Sequence, residues 1–374
     1  MHKIAIAITL LYSFHYSFQN ICTTKTIQEI MVYSGLRAEH SYLNGEYLVG
    51  ILTLPLSHVI KNKINHRLNN ADDEGYKEDK LAFLNSSSYF PKSYASWIQE
   101  YGVKIIPLDI NDSEENLSNL MDNLDGLLLT GGATPVYEPN TIIKIDNDVS
   151  HALHIKKPSV YAKVVAKLIN KAKEINDKGR KFPVWGTCLG FESMLLADEH
   201  YNSAFFNVEN ENHESPLILS TKEKKSDLNL FNDFTITEIV ENNNIFFFNH
   251  KRGFLADKFI QINNSLNHWQ VLATSKTKNN HEIVAFVKSS KYPFFGVQYH
   301  PEKIKFEHNA KLNIDRSENA INLAEKMAII FISSFDKKAN KTNNRNNTIK
   351  EISKEKVICD IESVGVFDEI FLIK

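Results

Sequence analysis

Cysteine is scarce in this chain, with three among 374 residues. So few thiols exclude a disulfide-framed fold and leave no cluster for structural zinc. There is no zinc-like CxxC or HExxH pattern and no phosphate-cradling GxxxxGKS, so metallopeptidase and P-loop chemistry have no motif to rest on. An excess of one charge is also missing. Lys and Arg number 43 against 45 Asp and Glu, a net charge of -2. No global field therefore draws the protein to nucleic acid or to an anionic membrane. Long apolar runs are absent too. The longest near the start, Ile4 to Leu11, is far below the roughly 20 residues that a membrane-spanning helix needs.

What remains is a globular composition, 43% hydrophobic with a mean hydropathy of -0.30. The length suffices for one large α/β domain or two smaller ones with a sizeable core. The first residues, MHKIAIAITLLYSF, carry a basic start followed by a short apolar run. That pattern predicts a secretory signal peptide over 1–22, since core-like patterning restarts only at Tyr47. A buried first strand is the alternative. In a secreted or lumenal chain the Asn-x-Ser/Thr triplets at Asn85, Asn111, Asn116, Asn263, Asn340 and Asn346 become glycosylation candidates, although an Asn-rich chain generates such triplets by chance. Cys22 and Cys359 could pair only if signal cleavage spares Cys22.

Strand-like and helix-like stretches alternate from Tyr47 onward. Tyr47 to Pro55 reads as a buried strand, and the polar stretch Val59 to Ser87 as a surface insertion. Ser88 to Gly102 shows helical spacing, Val103 to Ile110 reads as a strand, and Ser113 to Leu124 as a short amphipathic helix opened by Ser and acidic residues. Asp125 to Ala133 is a third strand running into a double glycine. Tyr137 to Pro158 is irregular, Ser159 to Lys178 is a long helix, and FPVWGTC is a fourth strand. Three strand-like runs fill Trp269 to His300, a closing helix covers Glu318 to Phe335, and a polar linker leads to an apolar tail that reads as an edge strand. Such alternation predicts an α/β three-layer sandwich, a mostly parallel central sheet flanked by helices.

Two positions stand out chemically. Cys188 lies within Gly-Thr-Cys-Leu-Gly, residues 186–190, after a strand and before a helical pattern. That is the context of a nucleophile elbow, where flanking glycines permit a sharp turn and the helix start offers free N–H groups to an oxyanion. The helix dipole is expected to lower the thiol pKa, and the Leu189 N–H would be one oxyanion donor. A buried structural thiol is the commoner fate of a lone cysteine. The second position is His300, which ends the apolar strand YPFFGVQY and is followed by Pro301 and Glu302. Neighbouring strands would bring His300 to the same sheet edge as Cys188, with Glu302 fixing the imidazole tautomer. A capping histidine beside a solvated glutamate is the competing reading.

Taken together, GTCLGFE, the HPEK that follows a Gly-Val-Gln-aromatic strand, SYFPKSYASWIQEYGVKIIPL, LDGLLLTGG and the NHKRG around His250 resemble the class I glutamine amidotransferase-like superfamily, a flavodoxin-like fold. Within it they resemble the γ-glutamyl hydrolases, which act on folyl poly-γ-glutamates. The resemblance runs from Tyr47 to about Phe335. It implies that Cys188 is the nucleophile, His300 the general base and acid, and Glu302 its orienter. Gly131 or Gly132 would supply the second oxyanion amide, Glu192 would contribute to substrate binding, and His250 would line the glutamyl pocket. It also implies a thioester route without metal or organic cofactor, a small-molecule poly-γ-glutamate substrate, no nucleic-acid partner, and room for a homodimer.

Two departures bear on the pocket. Arg252 stands where the family usually has an aromatic residue, and Tyr299 where it often has Trp. A γ-linked substrate carries free α-carboxylates, for which Lys251 or Arg252 could serve, although such side chains are more often simply solvated. The implied organisation is a signal peptide at 1–22, a catalytic domain at 45–338, and a polar linker and tail at 339–374. The implied destination is the secretory pathway, either lysosome or vacuole or the exterior. A glutaminase or amidotransferase half, another γ-glutamyl-amine hydrolase of the same superfamily, and a non-catalytic binding protein of the same fold are the competing functions.

Overall fold

The computed structural model describes residues 23–26, 47–69, 86–138, 142–144, 152–154, 157–220, 234–266, 268–336, 357–364 and 367–373. The first half runs β1 Thr23–Thr26, β2 Leu48–Leu52, β3 Leu54–Pro55, α1 His58–Asn69, β4 Ser88–Pro91, α2 Lys92–Gln99, β5 Lys104–Leu108, α3 Glu114–Asn123 and β6 Gly126–Leu129. It continues with β7 Ile142–Lys144, β8 Ala152–His154, α4 Val160–Asp177, β9 Val184–Thr187, α5 Leu189–Leu196, β10 Phe205–Ser215 and β11 Ile218–Leu219. The second half adds α6 Phe234–Asn242, β12 Phe246–Phe254, α7 Ala256–Leu266, β13 Trp269–Lys276, β14 Glu282–Ser289 and β15 Phe294–Val297. Last come α8 Pro301–Phe306, α9 Glu318–Ser333, β16 Val357–Val364 and β17 Phe367–Ile373.

An eight-stranded sheet organises these elements, in the order β11-β13-β14-β15-β9-β6-β2-β5. The strands β5, β2, β6, β9 and β15 are mutually parallel. Numbered along the chain they lie 2-1-3-4-5, the flavodoxin-like order. Their sequences show why. β2 (LVGIL) and β6 (GLLL) are apolar runs buried at every position, as strands covered on both faces must be. α3, α4 and α5 form one contiguous helical layer, and α2, α8 and α9 the other. Trp185 on β9 packs against Trp97 of α2, Phe331 of α9, and Phe286 and Phe295 of the adjoining strands, with ring centroids 5.4 to 6.4 Å apart. Ser113, Ser159 and Ser317 cap α3, α4 and α9 by accepting N–H bonds, consistent with the serines that open those helical patterns.

Several expectations are corrected. The Val59 to Ser87 stretch is not all insertion loop, because α1 occupies its start and buries Ile64. Ser88–Pro91 is a fully buried strand before the helix begins, since Pro91 sits in extended backbone at the α2 N-cap. Tyr137 to Pro158 includes the two paired strands β7 and β8, closed by a Tyr137–Pro158 bridge. The tail is no edge strand. β17 pairs with β16 on one side and β4 on the other, within the five-stranded order β1-β16-β17-β4-β3. Residues 1–22, Asn85, Asn340 and Asn346 lie outside the described residues. Asn263 is 7% exposed, and its amide binds the Tyr201 hydroxyl and the Trp269 backbone, so the folded chain offers no glycan acceptor there.

A candidate active site at the strand ends

The parallel pair β9 and β15 aligns Gly186 with Gly296 and Thr187 with Val297. The residues just beyond, Cys188 and the Gln298–His300 segment, therefore leave the sheet at the same carboxyl edge. The Cys188 N–H donates to the Val297 carbonyl at 2.8 Å. Cys188 has φ 49° and ψ -108°, a left-handed conformation in which a side-chain-bearing residue is strained. The tight packing that imposes this turn is visible at Gly190, where a Cβ would lie 2.2 Å from the Leu129 carbonyl oxygen. Only glycine lets α5 start against β6 at backbone contact.

His300 is fixed from three sides. Its N–H donates to the Phe247 carbonyl at 2.9 Å. Pro301 occupies the first turn of α8, and this turn swings the buried Glu302 back so that its Oε1 accepts from His300 Nδ1 at 2.7 Å. With Nδ1 so engaged, Nε2 is left without a hydrogen-bond partner among the described residues. A Cβ placed on Gly131 would lie 2.8 Å from His300 Cε1 and 3.3 Å from Cys188 Cβ, so imidazole and thiol face one point above the double glycine.

Tyr94, on the apolar face of α2, completes this rim. Its hydroxyl accepts the Gly131 N–H at 2.7 Å and lies 3.3 Å from His300 Nδ1. Burial and Glu302 hold the Tyr94 hydroxyl well above its ordinary pKa. The Gly131 amide is thereby occupied, while Gly132 lines the cleft.

The thiol departs from expectation. Burial, followed by the carboxyl groups of Glu192 and Glu302, raises the Cys188 pKa, and the Leu189 N–H and Lys303 only partly offset this. Desolvation and two acidic neighbours outweigh the helix terminus.

A cleft of about 480 Å³ opens over the sulfur, lined by Gly132, Cys188, Glu192, His250, Lys251 and Arg252 among others. Its far wall is the antiparallel ribbon β10–β12, which the sequence patterning did not reveal. Glu192 is buried rather than solvated, accepts from Gln298 Nε2 at 3.1 Å, and is pushed up to about 7 by burial against the opposing pull of Arg252 and Gln298. His250 lines the cleft, but both its nitrogens are engaged. Nδ1–H donates to the Arg252 carbonyl at 2.6 Å, and Nε2 accepts from Asn210 Nδ2 at 3.0 Å. Burial lowers its pKa to about 3.

Cys188, Leu189, Glu302, His300, Gly131 and Gly132 thus converge on the rim, while Glu192 and His250 form the cleft wall. Tyr94, Gln298 and Asn210 were missed, since each occupies an ordinary helix or strand position with no local signal. No group of three or more His, Cys, Asp or Glu among the described residues is arranged to hold a metal ion. No helix among them is long and apolar enough to cross a membrane.

The profile of the family described as Peptidase C26 matches residues 72–302. Gamma-glutamyl hydrolase B of Dictyostelium discoideum is 27% identical over 267 residues, 71% of either chain. Gamma-glutamyl hydrolase 1 of Arabidopsis thaliana is 29% identical over 265 residues, 70% of this chain and 69% of that one. The gamma-glutamyl hydrolase of Homo sapiens is 27% identical over 253 residues, 67% of this chain and 71% of that one.

Proposed function

This chain belongs to the Peptidase C26 family and is a hydrolase, and from that premise we propose that it cleaves γ-glutamyl amide bonds of folyl poly-γ-glutamates through Cys188, His300 and Glu302. The observation that carries the reading is the strained Cys188 turn beside an imidazole whose Nδ1 is held by Glu302 and whose Nε2 is free. The relatives named above as gamma-glutamyl hydrolases support the substrate class.

The reaction follows from the groups present. His300 Nε2 takes the Cys188 proton as the sulfur attacks the γ-carbonyl. Negative charge develops on the carbonyl oxygen, where the Leu189 and Gly132 amides receive it. Loss of one such donor costs about 3 kcal/mol. The imidazolium is stabilised by Glu302, with the Tyr94 hydroxyl 3.3 Å from the same Nδ1. His300 then gives its proton to the departing amine, and the thioester is cleared by water that His300 deprotonates. A signal peptide over 1–22 would place this chemistry in the secretory pathway.

The test is a product profile. Incubation with a folyl pentaglutamate should release glutamate or short poly-γ-glutamate, read by mass. Ammonia from glutamine, with the pentaglutamate untouched, would instead favour a glutaminase. Microscopy of a C-terminally tagged chain with and without residues 1–22 checks the route: loss of secretory localisation on deletion is expected.

A further inference from the structure

We propose that Arg252 anchors the free α-carboxylate of the glutamyl residue whose γ-carbonyl is attacked. The proposal rests on the γ-glutamyl reading above and gives it a residue.

A γ-linkage leaves one α-carboxylate on each glutamyl unit. Inside a half-enclosed cleft that charge needs a cationic or amide partner. The cations lining the cleft are Lys251 and Arg252, and the structure treats them differently. The Lys251 side chain is 75% exposed and lies 3.4 Å from Glu211, so it sits at the mouth and is already neutralised. Arg252 is half-buried and its guanidinium rests over the Phe205 ring, 5.8 Å from the centroid. Among the described residues it makes no ion pair within 4.0 Å, although its field reaches Glu192 and Tyr137.

The surrounding architecture holds this side chain in place. The ribbon register sets Asn207 opposite Arg252, and both line the cleft, which adds an amide donor beside the guanidinium. The Arg252 carbonyl is clamped by His250, and His250 is clamped by Asn210. His250 therefore acts as a positioning residue for the arginine, which explains why a histidine in the cleft wall has no nitrogen free for substrate. Arginine suits the task because its planar fork binds a carboxylate through two parallel N–H bonds.

The experiment pairs two substrates with two enzymes. The substrates are an N-(4-aminobenzoyl) γ-linked glutamate dimer and the same compound with an α-carboxamide on the attacked residue. Wild type should prefer the carboxylate by roughly 30- to 100-fold in kcat/KM, mainly through KM. Arg252→Met keeps the aliphatic stem over Phe205. It should lose about as much on the carboxylate and little more on the carboxamide, and Arg252→Lys should regain part. The wild-type comparison needs no variant, so misfolding cannot hide the answer. Equal turnover of the two compounds by wild type, or unchanged discrimination in Arg252→Met, overturns the proposal while leaving γ-glutamyl hydrolysis intact. Failure of wild type to cleave either compound or a folyl pentaglutamate overturns both.

Discussion

The two sides of the cleft are finished in opposite ways. On the rim, Cys188 stays in a strained turn, and among the described residues His300 Nε2 lacks a partner and Glu302 Oε2 is buried without one. On the ribbon wall, both nitrogens of His250 are satisfied. Unmet hydrogen-bonding capacity beside backbone strain marks a place that awaits a substrate. The ribbon leaves Asn210 Oδ1 without a partner among the described residues but commits its histidine fully, as suits a place that shapes a substrate. On the proposed reading, the rim carries the chemistry and the ribbon the recognition.

Substitutions on the rim should erase turnover and spare the fold. Cys188→Ala should lower kcat by roughly 10⁴ or more, because a triad acts as a unit, with the melting temperature nearly unchanged. Residual activity near wild type would remove Cys188 from the role. Glu302→Gln keeps the shape but loses the charge that stabilises the imidazolium, and should reduce kcat by roughly 10³. Tyr94→Phe removes the hydroxyl that joins Gly131 to the His300–Glu302 pair. A loss of about 10-fold in kcat is expected, with a displaced pH–rate profile. An unmoved profile would make Tyr94 a packing residue only.

Substitution of the buried titratable groups that line the cleft, Glu192 of α5 and His250 of the ribbon, should instead alter stability against pH. The Glu192 pKa rises on folding from 4.5 to about 7. The folded state therefore holds that proton more tightly, and its contribution is lost as pH rises from about 4.5 to 7. The His250 pKa falls from 6.5 to about 3, so its contribution is lost as pH falls from about 6.5 to 3. The two slopes oppose each other where they overlap. Glu192→Gln should flatten the loss on the neutral side, and His250→Asn the loss on the acid side, each by up to on the order of 3 kcal/mol. Denaturant midpoints measured from pH 4 to 8 provide the check. Identical profiles for wild type and both variants would show that the wall does not titrate with folding.

The rim was legible because its signals are local. A cysteine between glycines at the end of an apolar strand, and a histidine two residues before a glutamate, can each be read within a few positions. The β10–β12 wall was not, since its pairing shifts register between Asn207 and Asn210 and again before His213, which breaks the alternation that marks a strand. Tyr94 was hidden differently. It meets His300 across 206 residues, from a helix position that apolar patterning explains equally well. The lowered thiol pKa expected from the helix start failed because a sequence cannot show how deeply the sulfur is buried, nor that Glu192 and Glu302 both face it.

The sequence by itself determined the alternating α/β order, the glycine-flanked turn at Cys188 and the coupling of His300 to Glu302, because short-range sterics and strand periodicity suffice for each. Tertiary structure alone decided which glycine amide is spent on Tyr94, how both nitrogens of His250 are engaged, and which of the two adjacent cations lining the cleft is the more buried. Those outcomes depend on desolvation and on contacts between distant segments, which exist only once the sheet has brought its strand ends together.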